Sequence, residues 1–231
     1  MSPTRPELVA LVPMRHHSER VPGKNYRPLR GRPLYTYVLD SLLACPEIHE
    51  VIVDTDSPKI REGLAATYPT VRILERPEDL RGGDVPMNRV LRHDVGQVEA
   101  DAYLQTHSTN PLVRPQTFRA AIRAFRESAP AHDALFSVTP FRKRLWTAEA
   151  KPVHHDPAVL LRTQDLPPLY EENSCIYLFD REAFLETGSR LGRRPTLFEM
   201  DPAEALDIDD EADFRLVEAI LSLDAAEEGG S

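Results

Sequence analysis

Leu8-Val9-Ala10-Leu11-Val12-Pro13-Met14-Arg15-His16-His17-Ser18-Glu19-Arg20-Val21-Pro22-Gly23-Lys24-Asn25 is the stretch that decides the fold class. Its five leading apolar residues are too few for a helix and show no polar alternation. They read as a strand buried on both faces, as in a parallel sheet. The loop behind the strand holds Arg15, Arg20 and Lys24, with Arg27 just beyond, and Pro22-Gly23 turn it back. Clustered cations past the carboxyl end of a first strand suit a polyphosphate in an open α/β sheet. A solvated basic loop is the alternative, and the position in the chain favours the ligand. The stretch is neither a Walker A loop nor a G-x-G-x-x-G turn.

Working outward, the spacing predicts a helix over 34–45, a buried strand over 50–53, a helix opened by Ser57-Pro58, a short strand over 71–74, and a helix over 85–98. Strands follow at 101–106 and 133–138, flanking a helix over 116–127. This β-α-β-α-β rhythm indicates an α/β, doubly wound, mostly parallel sheet. At 231 residues and 41% apolar content the chain can bury one sizeable core, so residues 1–231 read as a single domain. The rhythm breaks at about 139–170, where Arg142-Lys143-Arg144, the only Trp (Trp146), His154-His155 and the prolines Pro152, Pro157, Pro167 and Pro168 stand in an irregular inserted arm. Adjacent histidines bounded by prolines read as solvent-facing in preference to metal-binding.

The net charge of −9, part of it carried by the acidic stretch 204–228, has no long basic run to offset it, which argues against nucleic acid as a partner. No apolar run approaches the length of a membrane span, and no signal peptide is visible. Cys45 and Cys175 lie far apart without metal-ligand spacing and read as reduced thiols of a cytoplasmic protein.

Two further segments carry chemistry. Thr109 and Asn110, past the strand at 101–106, can donate hydrogen bonds to a ligand; a polar turn before the next helix is the plainer reading. In Asp207-Ile208-Asp209-Asp210, an extended backbone sets Asp207 and Asp209 on one face and Ile208 on the other. Two convergent carboxylates can hold Mg²⁺. Alternatively, Asp209 or Asp210 caps the helix predicted over 211–223.

Pro13-x-Arg15-x-x-Ser18-x-Arg20-Val21-Pro22-x-Lys24-Asn25 resembles the nucleotide-binding signature P-A-R-G-G-S-K-x-I-P-x-K-N of the acylneuraminate cytidylyltransferases, the CMP-sialic acid synthetase family. Met14 replaces the family's alanine, and His16-His17 replace its two glycines. The Arg76–Asp84 loop, His107-Ser108-Thr109-Asn110-Pro111-Leu112 (Q-P-T-S-P-L in the family), Arg162-Thr163-Gln164-Asp165-Leu166-Pro167 with Tyr170–Tyr177, and Asp207-Ile208-Asp209 follow in the family's order. Ser174-Cys175 stand where the family has Gly-Ala.

The resemblance implies a Rossmann-like nucleotidyltransferase that joins CTP to an acidic sugar. Arg15 and Lys24 would be catalytic. Arg15, Ser18, Arg20, Lys24, Asn25 and Gly83 would bind nucleotide, with Asn25 on the cytosine ring. His107, Thr109, Asn110, Arg162 and Gln164 would bind the acceptor, Arg162 through its carboxylate, a structural pair with Glu171 or Glu172 being the alternative for that residue. Asp207 and Asp209 would hold Mg²⁺, and the arm would reach a second subunit in a homodimer. Kdo or a phosphonate as acceptor, or a nucleotide-binding module without catalysis, are the other readings.

Overall fold

The computed structural model describes residues 5–159 and 161–229. In chain order the elements are β1 (Leu8–Leu11), a small hairpin of β2 (Pro28–Leu29) and β3 (Arg32–Pro33), α1 (Tyr35–Leu43), β4 (Glu50–Thr55), α2 (Pro58–Thr67) and β5 (Arg72–Glu75). Then come α3 (Met87–Gln97), β6 (Ala102–Gln105), α4 (Pro115–Ser128), β7 (Ala134–Phe141), β8 (Leu169–Asp180), α5 (Arg181–Thr187), β9 (Pro195–Glu199) and α6 (Glu211–Gly229). The main sheet has the order β5-β4-β1-β6-β8-β7-β9. β5, β4, β1 and β6 run parallel, as do β7 and β9, whereas β8 is antiparallel to both β6 and β7.

The unbroken apolar run of β1 has a direct cause. Leu8, Ala10, Val12 and Met14 pack into one hydrophobic cluster with α1, α2 and α4, while Val9 and Leu11 pack into a second with α3 and α5. A strand covered on both faces needs apolar residues at every position. Ser57 caps α2, its Oγ accepting from the Ile60 N–H at 3.3 Å, with Pro58 in the first turn.

β8, α5 and β9 do not follow from the helix–strand rhythm of the sequence. β8 is half surface and half core, so it shows neither alternation nor a uniform apolar run. Its first residues pair with the end of β7 (Val138 with Glu172, Phe141 with Leu169), which draws both ends of the arm into the sheet. Between them, among the described residues, the regular features are a turn at Thr163–Asp165 and an isolated antiparallel bridge of Trp146 with Pro152. The arm carries exposed Trp146, Val153, Val159 and Leu161. The carboxyl ends of β4, β1 and β6 lie along one edge of the sheet, and the antiparallel β8 delivers Ser174 to that same edge.

Candidate active site

A cavity of about 480 Å³ opens at this edge, lined by Arg15, Ser18, Arg20, Lys24, Asn25, Gly83, His107, Thr109, Asp207 and Asp209. These come from four loops that span the chain from Arg15 to Asp209. Lys24 starts a short turn whose preceding Gly23 has φ +67°, and a Cβ there would run into the Tyr26 ring. Asn25 locks the loop: its Nδ2 donates to the Arg15 carbonyl at 2.7 Å and its Oδ1 accepts from Ser108 Oγ at 2.8 Å. Gly83 closes over the top, where a Cβ would sit 2.6 Å from Glu19 Oε1 and 2.9 Å from the Arg15 guanidinium.

The His16-His17 substitution is accommodated because neither residue takes positive φ, so glycine is not required there. The His16 N–H donates to Asp56 Oδ1 at 2.6 Å, its Nδ1 lies 2.8 Å from Ser57 Oγ, and its ring stacks on Tyr26. Ser174 is different: it sits at φ +59°, a conformation natural for the glycine of the family pattern and costly for serine.

Asp207 and Asp209 flank Ile208, which is buried with Leu29, Leu34 and Phe214. The alternation expected from sequence therefore holds, although the segment belongs to no strand. Lys24 Nζ donates to the Ile208 carbonyl at 2.5 Å and stands 3.5 Å from Asp209 Oδ1, which accepts from Arg20 at 2.7 Å. Asp210, not Asp209, caps α6: its Oδ1 accepts from the N–H groups of Ala212 and Asp213. Among the described residues, Asp207 Oδ1 is buried without a hydrogen-bond partner. Burial pushes this carboxyl above the ordinary range, against the Thr109 hydroxyl, which lowers it. A sealed carboxylate oxygen beside a second carboxylate is a fitting donor pair for a hard, oxygen-seeking cation such as Mg²⁺.

The sequence profile described as Cytidylyltransferase matches residues 9–227. The chain belongs to the cytidylyltransferase family. It is 27% identical to the CMP-N,N'-diacetyllegionaminic acid synthase of Legionella pneumophila, over 94% of this chain and 97% of that protein. It is 26% identical to N-acylneuraminate cytidylyltransferase A of Danio rerio, over 91% of this chain and 50% of the longer relative. The fold is that of a CMP:2-keto-3-deoxy-manno-octonic acid synthetase solved with CTP, at a TM-score of 0.71 and 18% identity, covering 94% of this chain and 99% of the other.

Three expected site residues of this cytidylyltransferase do not reach the cavity. Asn110 is fully buried with both amide atoms unpartnered among the described residues, because the turn after β6 directs it inward. Arg162 is exposed on the arm and grips Asp165, Nε to Oδ2 at 2.6 Å, in place of Glu171 or Glu172. Gln164 is likewise exposed, and its carbonyl accepts from Arg142 at 2.9 Å. The enzyme is CTP-dependent, and among the described residues no helix is long and apolar enough to cross a membrane.

The structure adds residues the sequence did not single out, of which Arg76 is the most consequential. It lines the cavity while 4% exposed, its Nε bonded to Asp54 Oδ1 and its terminal N–H to the Asp54 carbonyl. Behind it, ligand-type atoms of Asp54, Asp94 and His93 lie within 4.8 Å of one another. Burial first, then the neighbouring Asp54 charge, drives the Asp94 carboxyl far above the usual range, with Arg76 opposing. A neutral Asp94 sharing its proton with Asp54 leaves Asp54 and Arg76 as a balanced buried pair.

This arrangement has a measurable consequence. Asp94 retains a proton in the folded chain that it loses on unfolding, so its stability contribution is complete below about pH 3.9 and falls as pH rises through neutrality toward the raised native value. Asp94→Asn should keep the hydrogen bond, remove that proton linkage, and raise the melting temperature at pH 8 relative to wild type while changing little at pH 4. An identical pH dependence of melting in both proteins would show that Asp94 ionises normally.

Proposed function

We propose that the chain transfers the cytidylyl group of CTP to an acidic sugar, sialic acid or a related nonulosonic acid, giving a CMP-sugar and pyrophosphate. The observation that carries this reading is the convergence of Arg15, Arg20 and Lys24 with Asp207 and Asp209 in one cavity. The anomeric oxygen of the sugar attacks the α-phosphorus. A new P–O bond forms as the bond from phosphorus to the pyrophosphate oxygen breaks, pyrophosphate leaves with that electron pair, and the proton of the attacking hydroxyl passes to solvent. Arg15 and Lys24 stabilise the charge on the phosphoryl oxygens. Ser18, Arg20 and the Gly83 backbone enclose the triphosphate, and Asn25 presents its remaining N–H toward the cytosine. Asp207 and Asp209 would hold Mg²⁺, which when bound neutralises phosphate charge.

His107 and Thr109 face the acceptor. Arg162 and Gln164 serve it from the arm of a second copy: an arm with exposed Trp146, Val153, Val159 and Leu161 suits burial against another subunit. The same chemistry on Kdo is the second reading, favoured by the fold likeness to the 2-keto-3-deoxy-manno-octonic acid synthetase.

Pyrophosphate release from each nucleoside triphosphate, measured across a panel of acid and neutral sugars, tests the reading. The expected result is strong preference for CTP and a requirement for an anionic acceptor. Equal rates with UTP, or efficient use of a neutral sugar phosphate, would overturn it, and CTP binding without turnover would point to a binding module. Light scattering on the same sample should report a dimer, and an active monomer at micromolar concentration would remove the shared arm.

A further inference from the structure

His107 lines the cavity at the end of β6, and what the ring can do there depends on which nitrogen carries its proton. The hydrogen bonds behind it leave one answer. Arg190, on the loop after α5, points its guanidinium at Gln105, with NH1 to Oε1 at 2.5 Å. Arginine has no acceptor, so the Gln105 oxygen must face it and the amide cannot be turned over. The Gln105 Nε2 is then the group that faces the other way. It donates to the Thr106 carbonyl at 3.0 Å and lies 3.1 Å from His107 Nε2. An amide nitrogen only donates, so His107 Nε2 must accept and the ring proton must sit on Nδ1. Among the described residues Nδ1 has no protein partner, and it is not one of the sealed-off polar atoms.

We infer that Arg190 and Gln105 are positioning residues that fix His107 as the neutral ring protonated on Nδ1, so that it meets the acceptor as an N–H donor and not as a cation or a base.

The anchor of this relay is rigid. The Arg190 guanidinium lies 3.4 Å from the centroid of the Tyr177 ring, reaches to 3.9 Å from Glu172, and its side chain is 17% exposed. The charged groups facing His107 agree with a neutral ring: Arg190 from the loop after α5 and Lys24 from the loop after β1 both oppose protonation, and with burial as the largest cause they push the imidazole down to about 3. Glu172 and the Tyr177 hydroxyl, both on β8, are engaged with each other and with Arg190. A neutral Nδ1–H imidazole also explains how histidine can stand where the resembling family carries glutamine, since both side chains offer an N–H.

The inference rests on the proposed acceptor side of the cavity, and the experiment separates the two. Full-length protein labelled with ¹⁵N-histidine is examined by long-range ¹H–¹⁵N correlation, with His107 assigned by its disappearance in His107→Gln. The expected spectrum shows Nδ1 protonated and Nε2 bare, unchanged from about pH 5 to about pH 8. An Nε2–H pattern or an imidazolium signature in that range overturns the inference, with no variant needed.

Gln105→Glu supplies the reversal. Its carboxylate accepts from both Arg190 and His107, so the proton should move to Nε2 and the ring should charge at higher pH than in wild type. The KM for the acidic sugar should rise about tenfold, the scale of one hydrogen bond of about 1.4 kcal/mol, with the KM for CTP little changed. Arg190→Met leaves the Thr106 carbonyl as the one remaining anchor of the Gln105 amide among the described residues, so a minor Nε2–H population should appear beside the Nδ1–H form, and a pure Nδ1–H pattern there would remove Arg190 from the relay. If the tautomers behave as expected but the acceptor KM stays at wild type in Gln105→Glu, the positioning is upheld and the acceptor does not lie against His107.

Discussion

Replacing Lys24 with methionine is expected to lower kcat/KM for CTP by about a hundredfold to a thousandfold, the scale of losing one preorganised charge at a reacting phosphoryl group. Lys24 is the cation best held for that task. Its side chain is 12% exposed, it is tied to the Ile208 carbonyl, and it stands 3.5 Å from Asp209. Methionine preserves the apolar stem and deletes the charge. The cost to folding should be about 1 kcal/mol, since one carbonyl loses its donor at the edge of a solvent-filled cavity. Melting and kinetics measured on the same sample separate the two effects. A loss of less than tenfold in kcat/KM with normal melting would mean that Lys24 serves the loop and not the phosphoryl group.

Asp209→Asn should show an effect of similar size by a different route. The expected loss in turnover is about a hundredfold, with a higher Mg²⁺ concentration needed for half-maximal rate. Stability should hardly change, because the cap of α6 is Asp210 and the pairs that Asp209 makes with Arg20 and Lys24 border the open cavity. A Mg²⁺ titration of wild type and variant decides the point. Partial rescue by added Mg²⁺ supports a metal ligand. An unchanged rate and an unchanged Mg²⁺ midpoint would exclude it and leave Asp209 as the counter-ion of Arg20.

The two readings of Asp209 illustrate what separates legible from illegible features. From sequence, Asp209 and Asp210 were equal candidates for the cap, because an N-cap and a position one residue before it differ only in backbone direction. That direction follows from Ile208 being drawn into the cluster with Leu29, Leu34 and Phe214. Asn110 shows the same gap. Its place after β6 suggested a ligand contact, and the turn instead aims it into the interior. Arg162 was legible as an arm residue but not as one that lies outside its own cavity, which depends on where a long irregular segment leaves the sheet.

Features that arise from neighbours along the chain are readable in the amino-acid order alone. The apolar run of β1 reports burial on both faces, Ser57-Pro58 reports a capped helix start, and the alternation of Asp207, Ile208 and Asp209 reports two carboxylates on one side. Each rests on backbone periodicity acting over a few residues. The antiparallel entry of β8, the anchoring of Arg76 by Asp54, and the chain of hydrogen bonds from Arg190 through Gln105 to His107 exist only in the closed sheet. These join residues tens of positions apart, and their energies depend on burial and donor geometry that exist only once the sheet has closed, because a guanidinium, an amide and an imidazole acquire fixed roles when water no longer competes for them.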